Sequence, residues 1–134
     1  MTVRYLAPAE VVALHRQVMT GMGWSPAPLR SEALLESAVQ RAQAAAYYGG
    51  ADLLEQACVL ALGISQNQPF LDGNKRTALY SMIVFLRANG LDYTGDRFEI
   101  ADQLIAVAER EDSLEAATSR FAAWVRERTV EFTP

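Results

Sequence analysis

The chain contains one cysteine and one histidine among its 134 residues. A single cysteine, Cys58, excludes an internal disulfide. Because Cys58 falls within an apolar run of helical spacing, we expect a small buried side chain there and not a reactive thiol. The one histidine, His15, lies beside the apolar stripe of the first predicted helix. A hydrogen-bonded structural role is favoured for it, and a place in the lining of a functional site is the alternative.

The sequence also has no apolar run as long as a membrane span, and we expect no signal peptide, because residues 1–4 lead into 7–10 without a long apolar segment. It has no dense cluster of lysine and arginine, and its net charge is −4. That balance disfavours non-specific binding of nucleic acid, which requires clustered cations. We therefore expect a cytoplasmic protein that contacts neither a membrane nor nucleic acid directly.

What the chain does have is enough apolar material for one core, since 51% of its residues are hydrophobic. Its length fits a single domain, residues 1–134 with a core at about 3–126, and neither repeats nor low-complexity segments interrupt it. Apolar residues recur at helical spacing along most of the chain, which predicts an all-α bundle of about six helices.

The boundaries of these elements follow from capping and breaking residues. The predicted elements are a short strand at 3–6, helices beginning near Pro8, Ser31, Asp52 and Asn74, and two helices with capping boxes at Asp96 with Glu99 and at Asp112 with Glu115. The run 78–86 is apolar nearly all round, which places that helix in the centre of the bundle. Leu114 is assigned to the buried face of the last helix, the tail 129–134 is expected to be loose, and the tyrosine pair 47–48 is expected at a rim or packing contact.

The segment 66–77 carries the chemistry of the chain. A helix that begins at about Asn74 would leave its first backbone N–H groups unpartnered and directed into the preceding loop, together with the positive end of the helix dipole. Lys75 adds a mobile charge, and Arg76 adds a planar fork that can grip two oxygens. This arrangement predicts an anion site of the kind that holds phosphates, and Asp72 is placed to hold a divalent cation that bridges them.

A plainer interpretation stays open on the residues alone. Asp72 or Asn74 could be an ordinary N-cap, with Lys75 and Arg76 solvated.

The run 68–77, Gln-Pro-Phe-Leu-Asp-Gly-Asn-Lys-Arg-Thr, resembles the active-site motif H-P-F-x-D-G-N-K-R-T of the Fic/Doc family. The segment 30–38 resembles the family too, and the likeness extends over roughly 3–124. Gln68 stands where the family has its histidine, and Gln66 stands where many relatives have another. Lys75 indicates the Doc branch, because most AMP-transferring members have glycine there; Leu79 replaces an arginine of those members.

The resemblance implies an all-helical fold and a role for each motif position. Asp72 would hold Mg²⁺, Phe70 would anchor the loop in the core, and Gln68 would occupy the place of the general base. The phosphates of ATP would be held by Gly73, Asn74, Lys75, Arg76 and Thr77.

The implied function is that of a Doc-like toxin of a toxin–antitoxin pair, which transfers the γ-phosphate of ATP to a threonine of elongation factor Tu and is bound by a Phd-like antitoxin. A carboxamide cannot accept a proton near neutral pH, so Gln68 predicts impaired or absent activity. The alternatives are a non-catalytic nucleotide- or partner-binding protein, a fold adapted to other chemistry, and AMP transfer. Whether the chain is an enzyme at all is left open by the sequence.

Overall fold

The computed structural model describes residues 2–133, and within them six helices and one two-stranded sheet are present. The elements are α1 (Pro8–Gly21), α2 (Glu32–Gly49), α3 (Leu53–Asn67), α4 (Asn74–Ala88), β1 (Leu91–Tyr93), α5 (Arg97–Ala108), α6 (Leu114–Arg126) and β2 (Thr129–Glu131). The predicted all-α bundle is therefore confirmed. No helix in this range is both long and apolar enough to cross a membrane.

Helices α3 and α4, which pack against each other, form the centre of the bundle. Helix α4 packs against α1, α3, α5 and β1, as its apolar sequence predicts. Helix α3 is still more completely buried, because α2, α4 and α6 cover it. Helix α4 keeps one solvent-facing side that carries Lys75, Arg76 and Tyr80. That exposed side begins at the loop 68–73, so the loop is mounted on the core and still open to solvent.

Cys58 lies on the buried side of α3, as its apolar surroundings predict. Burial disfavours the charged thiolate and raises the pKa of this thiol to about 12. The side chain is therefore a neutral packing group near pH 7.

The N-terminal residues 3–6 were expected to form a strand and do not. The Arg4 N–H donates to Asn89 Oδ1 at 2.9 Å, and Asn89 Nδ2 donates to the Arg4 carbonyl at 3.0 Å. A single amide side chain thus satisfies both backbone groups that a neighbouring strand would have satisfied.

The expectation of a loose tail is wrong for residues 129–131. They form β2, which pairs antiparallel with β1 so that Leu91 faces Glu131 and Tyr93 faces Thr129. The Phe132 N–H extends the pairing by donating to the Gly90 carbonyl at 2.8 Å. Pro134, the last residue of the expected loose tail, lies outside the described residues.

The two predicted capping boxes also differ from the structure. Asp96 does cap α5, since its carboxylate accepts from the N–H groups of Phe98 and Glu99, but within residues 2–133 no hydrogen bond from Glu99 completes the box. Helix α6 is capped by Ser113, one residue after the predicted Asp112.

Asp112 is instead bound by Arg120 through two hydrogen bonds, which lower the pKa of its carboxyl. Leu114, assigned to the buried face, is 40% exposed, because the one-residue shift of the cap leaves it at the very start of the helix.

We expect Ser113→Ala to lower the free energy of unfolding by about 1 kcal/mol, because the Ala116 N–H loses its partner. Asp112→Ala should cause no measurable change, because its pair with Arg120 is solvent-exposed. Urea denaturation of both variants, with Ser113→Asp as a cap-preserving control, measures the difference. A larger loss from Asp112→Ala than from Ser113→Ala would contradict the observed helix start.

Candidate functional site

The loop between α3 and α4 begins at a strained residue, Gln68. Its φ of 48° is the only positive φ of a non-glycine residue among residues 2–133. The left-handed conformation costs roughly 1–2 kcal/mol and persists where the surroundings hold it. The Arg30 guanidinium provides such a hold, because it donates to the carbonyls of Gln68 and Asn67, both at 2.8 Å. Gln68 belongs to the lining of a cavity beside the loop.

A second segment, residues 28–31, pairs with the loop through its backbone. The N–H groups of Arg30 and Ser31 donate to the Pro69 carbonyl, and the Leu71 N–H donates to the Pro28 carbonyl at 3.1 Å. The sequence analysis did not foresee this pairing. The contacts join positions about 40 residues apart, and no local signal in either segment announces them.

The side chain of Asn74 closes the loop on itself. Its amide donates to the Phe70 carbonyl at 2.8 Å and accepts from the Phe70 N–H at 3.0 Å. The N-cap of α4 is Gly73, and no side chain caps this helix end. The plainer interpretation, in which Asp72 or Asn74 caps α4, is therefore wrong. Asn74 can offer a ligand its backbone N–H, because its amide is already committed.

His15 contacts the loop from its buried side. Its ring stacks on Phe70 with centroids 3.8 Å apart and planes 3° from parallel, and Nε2 lies 2.9 Å from the Asp72 carbonyl. A carbonyl only accepts, so the proton of the neutral ring is assigned to Nε2. His15 and Phe70 are each 2% exposed, so both belong to the core and His15 does not line the cavity. The structural role favoured for His15 from the sequence is the one the geometry shows.

Glycine is required at position 73 for two reasons. Its φ of +79° is unfavourable for any residue with a Cβ. A Cβ there would also lie 2.8 Å from Met19 Sδ and 3.4 Å from His15 Nε2. The start of α4 therefore lies tight against α1 and leaves its other side open to the cavity.

The cavity has a volume of about 730 Å³ and lies between the loop, the end of α1, the exposed side of α4 and the start of α5. Most of the predicted site residues line it: Gln68, Asp72, Gly73, Asn74, Lys75 and Arg76. Thr77 does not. Its side chain is buried inside the bundle, because the third position after Asn74 on the helix turns inward, and it does not reach the cavity.

The charges around the cavity are mostly positive although the chain is acidic overall. Lys75, Arg76 and Arg97 line it, and none of the three forms an ion pair within residues 2–133. The first N–H groups of α4 add their partial positive charge. Asp72 is the only carboxylate that the described residues, 2–133, contribute to the lining. An anion is therefore the ligand that this end of the cavity favours.

Asp72 can hold Mg²⁺ only together with other ligands, such as phosphate oxygens and waters. Its Oδ1 accepts from the Gly73 N–H at 2.8 Å, so the other carboxylate oxygen remains available. Residues 2–133 contain no group of three histidine, cysteine, aspartate or glutamate side chains that could hold a metal. Mg²⁺ is commonly held by one or two carboxylates together with substrate phosphates and waters. The residues present fit an ion that arrives with a phosphate ligand, and they do not fit an independent metal site.

The aromatic part of the cavity lining was not foreseen from the sequence. It is formed by Trp24 after α1, Tyr80 on α4 and Phe98 on α5, all three of them exposed. Phe98 is 81% exposed, and its position outside the apolar stripe of α5 is the one signal that could have marked it. The rings of Tyr47 and Tyr48 pack edge to face on each other, both residues are more than 80% exposed, and neither lines the cavity.

Comparison with known proteins agrees with this geometry. A family model described as the Fic/DOC family matches residues 5–86, a range that includes α1 to α3, the loop and most of α4. The chain is 35% identical over 114 residues to "Protein kinase doc" of Escherichia phage P1, covering 83% of this chain and 87% of that protein. It is 38% identical over 106 residues to "Toxin Doc" of Mycolicibacterium smegmatis, covering 71% of this chain and 78% of that one. The chain belongs to the Fic/DOC family.

Proposed function

We propose that this protein is a Doc-like toxin whose cavity binds ATP with Mg²⁺ and whose chemistry is phosphoryl transfer to a protein hydroxyl, with a rate limited by Gln68. The observation that carries the proposal is the uncapped start of α4, which faces a cavity lined by Asp72, Lys75 and Arg76. The printed names of the two relatives, a protein kinase and a toxin, support the same activity.

The phosphate chain would lie across the start of α4. There the N–H groups of residues 74–76 have no side-chain cap, and anions bind such helix ends through these groups and the helix dipole. Arg76 can donate to two phosphate oxygens, and Lys75 can neutralise a third. Asp72 would hold Mg²⁺ against the same oxygens, and the ion would supply further neutralisation of the charge on the transferred group.

In phosphoryl transfer the protein takes little part in covalent chemistry. It positions the reacting groups and stabilises their charge. The hydroxyl oxygen of the target forms a bond to the γ-phosphorus, the bond from that phosphorus to the β,γ-bridging oxygen breaks, and ADP leaves with the electron pair. The hydroxyl proton must go to a base. Gln68 cannot take it, and Asp72, the one carboxylate among the described residues of the lining, is assigned here to Mg²⁺. The proton therefore passes to solvent, and the reaction is slow.

The finer parts of the proposal rest on the family resemblance. The target would be a threonine of elongation factor Tu, the site of action the cytoplasm, and the partner a Phd-like antitoxin encoded beside the toxin. The net charge of −4 is consistent with a protein target and not a nucleic-acid target.

A calorimetric titration with ATP, ADP and AMP in the presence of Mg²⁺ tests the binding half of the proposal. We expect ATP to bind most tightly, and we expect Arg76→Ala to weaken it by roughly 10- to 100-fold, as loss of hydrogen bonds from a charged group does. Arg87→Ala is the matched control, because Arg87 is an exposed arginine on the same helix that pairs with Asp92 outside the cavity. An equal effect of both substitutions, or no nucleotide binding at all, would refute the proposal.

Gln68 itself favours a second candidate, a non-catalytic member that binds nucleotide or a partner protein. We call Asp72 and residues 73–76 at the start of α4 the phosphate cradle. A non-catalytic member would keep this cradle beside a residue that cannot act as a base, as this chain does. The two candidates share the binding result and separate on catalysis once a base is restored.

A further inference from the structure

His15 forms a hydrogen bond from helix α1 to the loop 68–73. Its Nε2 lies 2.9 Å from the Asp72 carbonyl, so the ring donates to the peptide group that joins Asp72 to Gly73. The ring is buried, and its stack on Phe70 fixes its plane. A rigid donor thus lies behind Asp72, a residue that itself lines the cavity.

The same peptide group forms a second hydrogen bond on its other side. In a trans peptide the C=O and the N–H lie in one plane and point in opposite directions. The Asp72 carbonyl points toward His15, so the Gly73 N–H points away from His15, and it donates to Asp72 Oδ1 at 2.8 Å. The imidazole therefore fixes the direction of the N–H that holds the carboxylate.

Glycine at position 73 makes this hold necessary. Glycine adopts positive and negative φ about equally readily. The peptide between Asp72 and Gly73 can therefore rotate by about half a turn, as the central peptide does between type I and type II turns. The observed φ of 79° and ψ of 13° at Gly73 correspond to the type II geometry. After such a rotation the Gly73 N–H would point toward α1, and it would no longer hold the carboxylate.

We propose that His15 is a positioning residue for the phosphate cradle, and that its imidazole holds the Asp72–Gly73 peptide in the orientation that directs the Asp72 carboxylate to Mg²⁺. The inference rests on the proposed function, since it assumes that Asp72 holds Mg²⁺ there. His15 does not touch the ligand, because it does not line the cavity. Loss of a group that orients a metal ligand in this way typically lowers metal affinity by roughly 10- to 100-fold.

Calorimetric titration of the full chain with ATP, in excess Mg²⁺ and again in EDTA, tests this role. His15→Phe keeps a flat ring against Phe70 and removes the donor. It should weaken binding of ATP with Mg²⁺ by roughly 10- to 100-fold. It should not weaken binding of ATP in EDTA, for which the carboxylate is not needed.

Two amide variants show whether the donor matters or only the shape of the side chain. His15→Gln places an amide nitrogen as many bonds from Cα as Nε2 of the ring, so it should restore most of the lost affinity. His15→Asn is one bond shorter and should not restore it. Val11→Ala is the matched control, because Val11 is buried on the same helix and does not line the cavity. It should lower stability and leave the effect of Mg²⁺ unchanged.

A second measurement needs no ligand. Because the Gly73 N–H is bonded to the Asp72 carboxylate, it should exchange slowly with solvent in the parent chain and in His15→Gln. In His15→Phe it should exchange about 10-fold faster, which corresponds to the loss of one hydrogen bond. Equal exchange in the parent chain and His15→Phe would show that the imidazole does not hold this peptide.

The failures are distinguishable. If the parent chain binds no ATP, the proposed function fails together with the Mg²⁺ part of this inference, and exchange at Gly73 still decides whether His15 holds the peptide. If the parent chain binds ATP but Mg²⁺ does not strengthen binding, Asp72 does not hold the ion and the inference is refuted.

The phosphate site stands and the positioning role is refuted if His15→Phe weakens ATP equally with Mg²⁺ and in EDTA, or if His15→Gln restores nothing. Urea denaturation identifies any variant that does not fold. If His15→Phe is unfolded, His15→Asn replaces it in both measurements, because its amide is too short to donate to the Asp72 carbonyl.

Discussion

Replacing Gln68 with histidine is expected to raise the rate of phosphoryl transfer from ATP to a protein hydroxyl by a factor of about 100 to 10,000, the usual contribution of a well-placed base. The substitution puts an imidazole, which accepts a proton near neutral pH, into the lining of the cavity beside the phosphate cradle. The backbone can accommodate it. Position 68 has a left-handed conformation, and histidine adopts that conformation more readily than most residues do.

The measurement is transfer of the labelled γ-phosphate of ATP to purified elongation factor Tu by the Gln68→His variant, with growth arrest as the cellular readout. Below a pH of about 6.5 the imidazole is protonated, so the rate should rise with pH through that region. Gln68→Asn, which supplies another carboxamide, is the control and should gain nothing. A Gln68→His protein that binds ATP and Mg²⁺ yet modifies no protein in a lysate would support the non-catalytic candidate instead.

Phe70→Ala is expected to lower the free energy of unfolding by about 3–5 kcal/mol, the usual cost of removing a buried phenylalanine. Phe70 is 2% exposed, and its ring also carries the stacking contact with His15. Since small domains have a total stability of about 5–15 kcal/mol, this variant should lie near the limit of folding at 37 °C. The same substitution should weaken ATP binding, because the ring fixes the loop 68–73, which leads into the start of α4.

Urea denaturation of Phe70→Ala and Phe98→Ala gives the comparison. The two residues are of the same type, but Phe98 is 81% exposed, so its removal should leave stability nearly unchanged. Phe70→Leu should lose less than Phe70→Ala, because it leaves a smaller cavity. A Phe70→Ala protein as stable as Phe98→Ala would show that the loop is not anchored through this ring.

The helices and the loop before α4 could be predicted from the sequence because their signals are local. Helical spacing places apolar residues on one face, and Pro69 with Gly73 interrupts that spacing between α3 and α4. The N–H groups at the start of α4 follow from where the helix begins, which Asn74 marks correctly.

Most of the features that the sequence did not predict share a physical cause, which is contact between segments that are distant in the chain. Strand β2 exists because β1, more than 35 residues earlier, offers it an edge, and a run of only three residues is too short to show this alone. The Arg30 hold on Gln68 joins positions 38 apart. The aromatic part of the cavity lining is likewise assembled from α4, α5 and the residues after α1.

The N-cap of α6 was predicted at the wrong residue for a different reason. Asp112 and Ser113 are both good N-cap residues, and both are followed three positions later by a residue whose N–H needs a partner. The structure selects Ser113, because Asp112 is held by Arg120 from the second turn of the helix. A choice between adjacent caps depends on such contacts and not on the local pattern.

The most direct test of the central claim, that the start of α4 is a phosphate site, is a crystal structure with a non-hydrolysable ATP analogue and Mg²⁺. The account predicts phosphate oxygens within hydrogen-bond distance of the N–H groups of residues 74–76, with Mg²⁺ on the free oxygen of Asp72. An analogue bound elsewhere, or a fully occupied cavity in which no phosphate contacts Lys75, Arg76 or the start of α4, would contradict it.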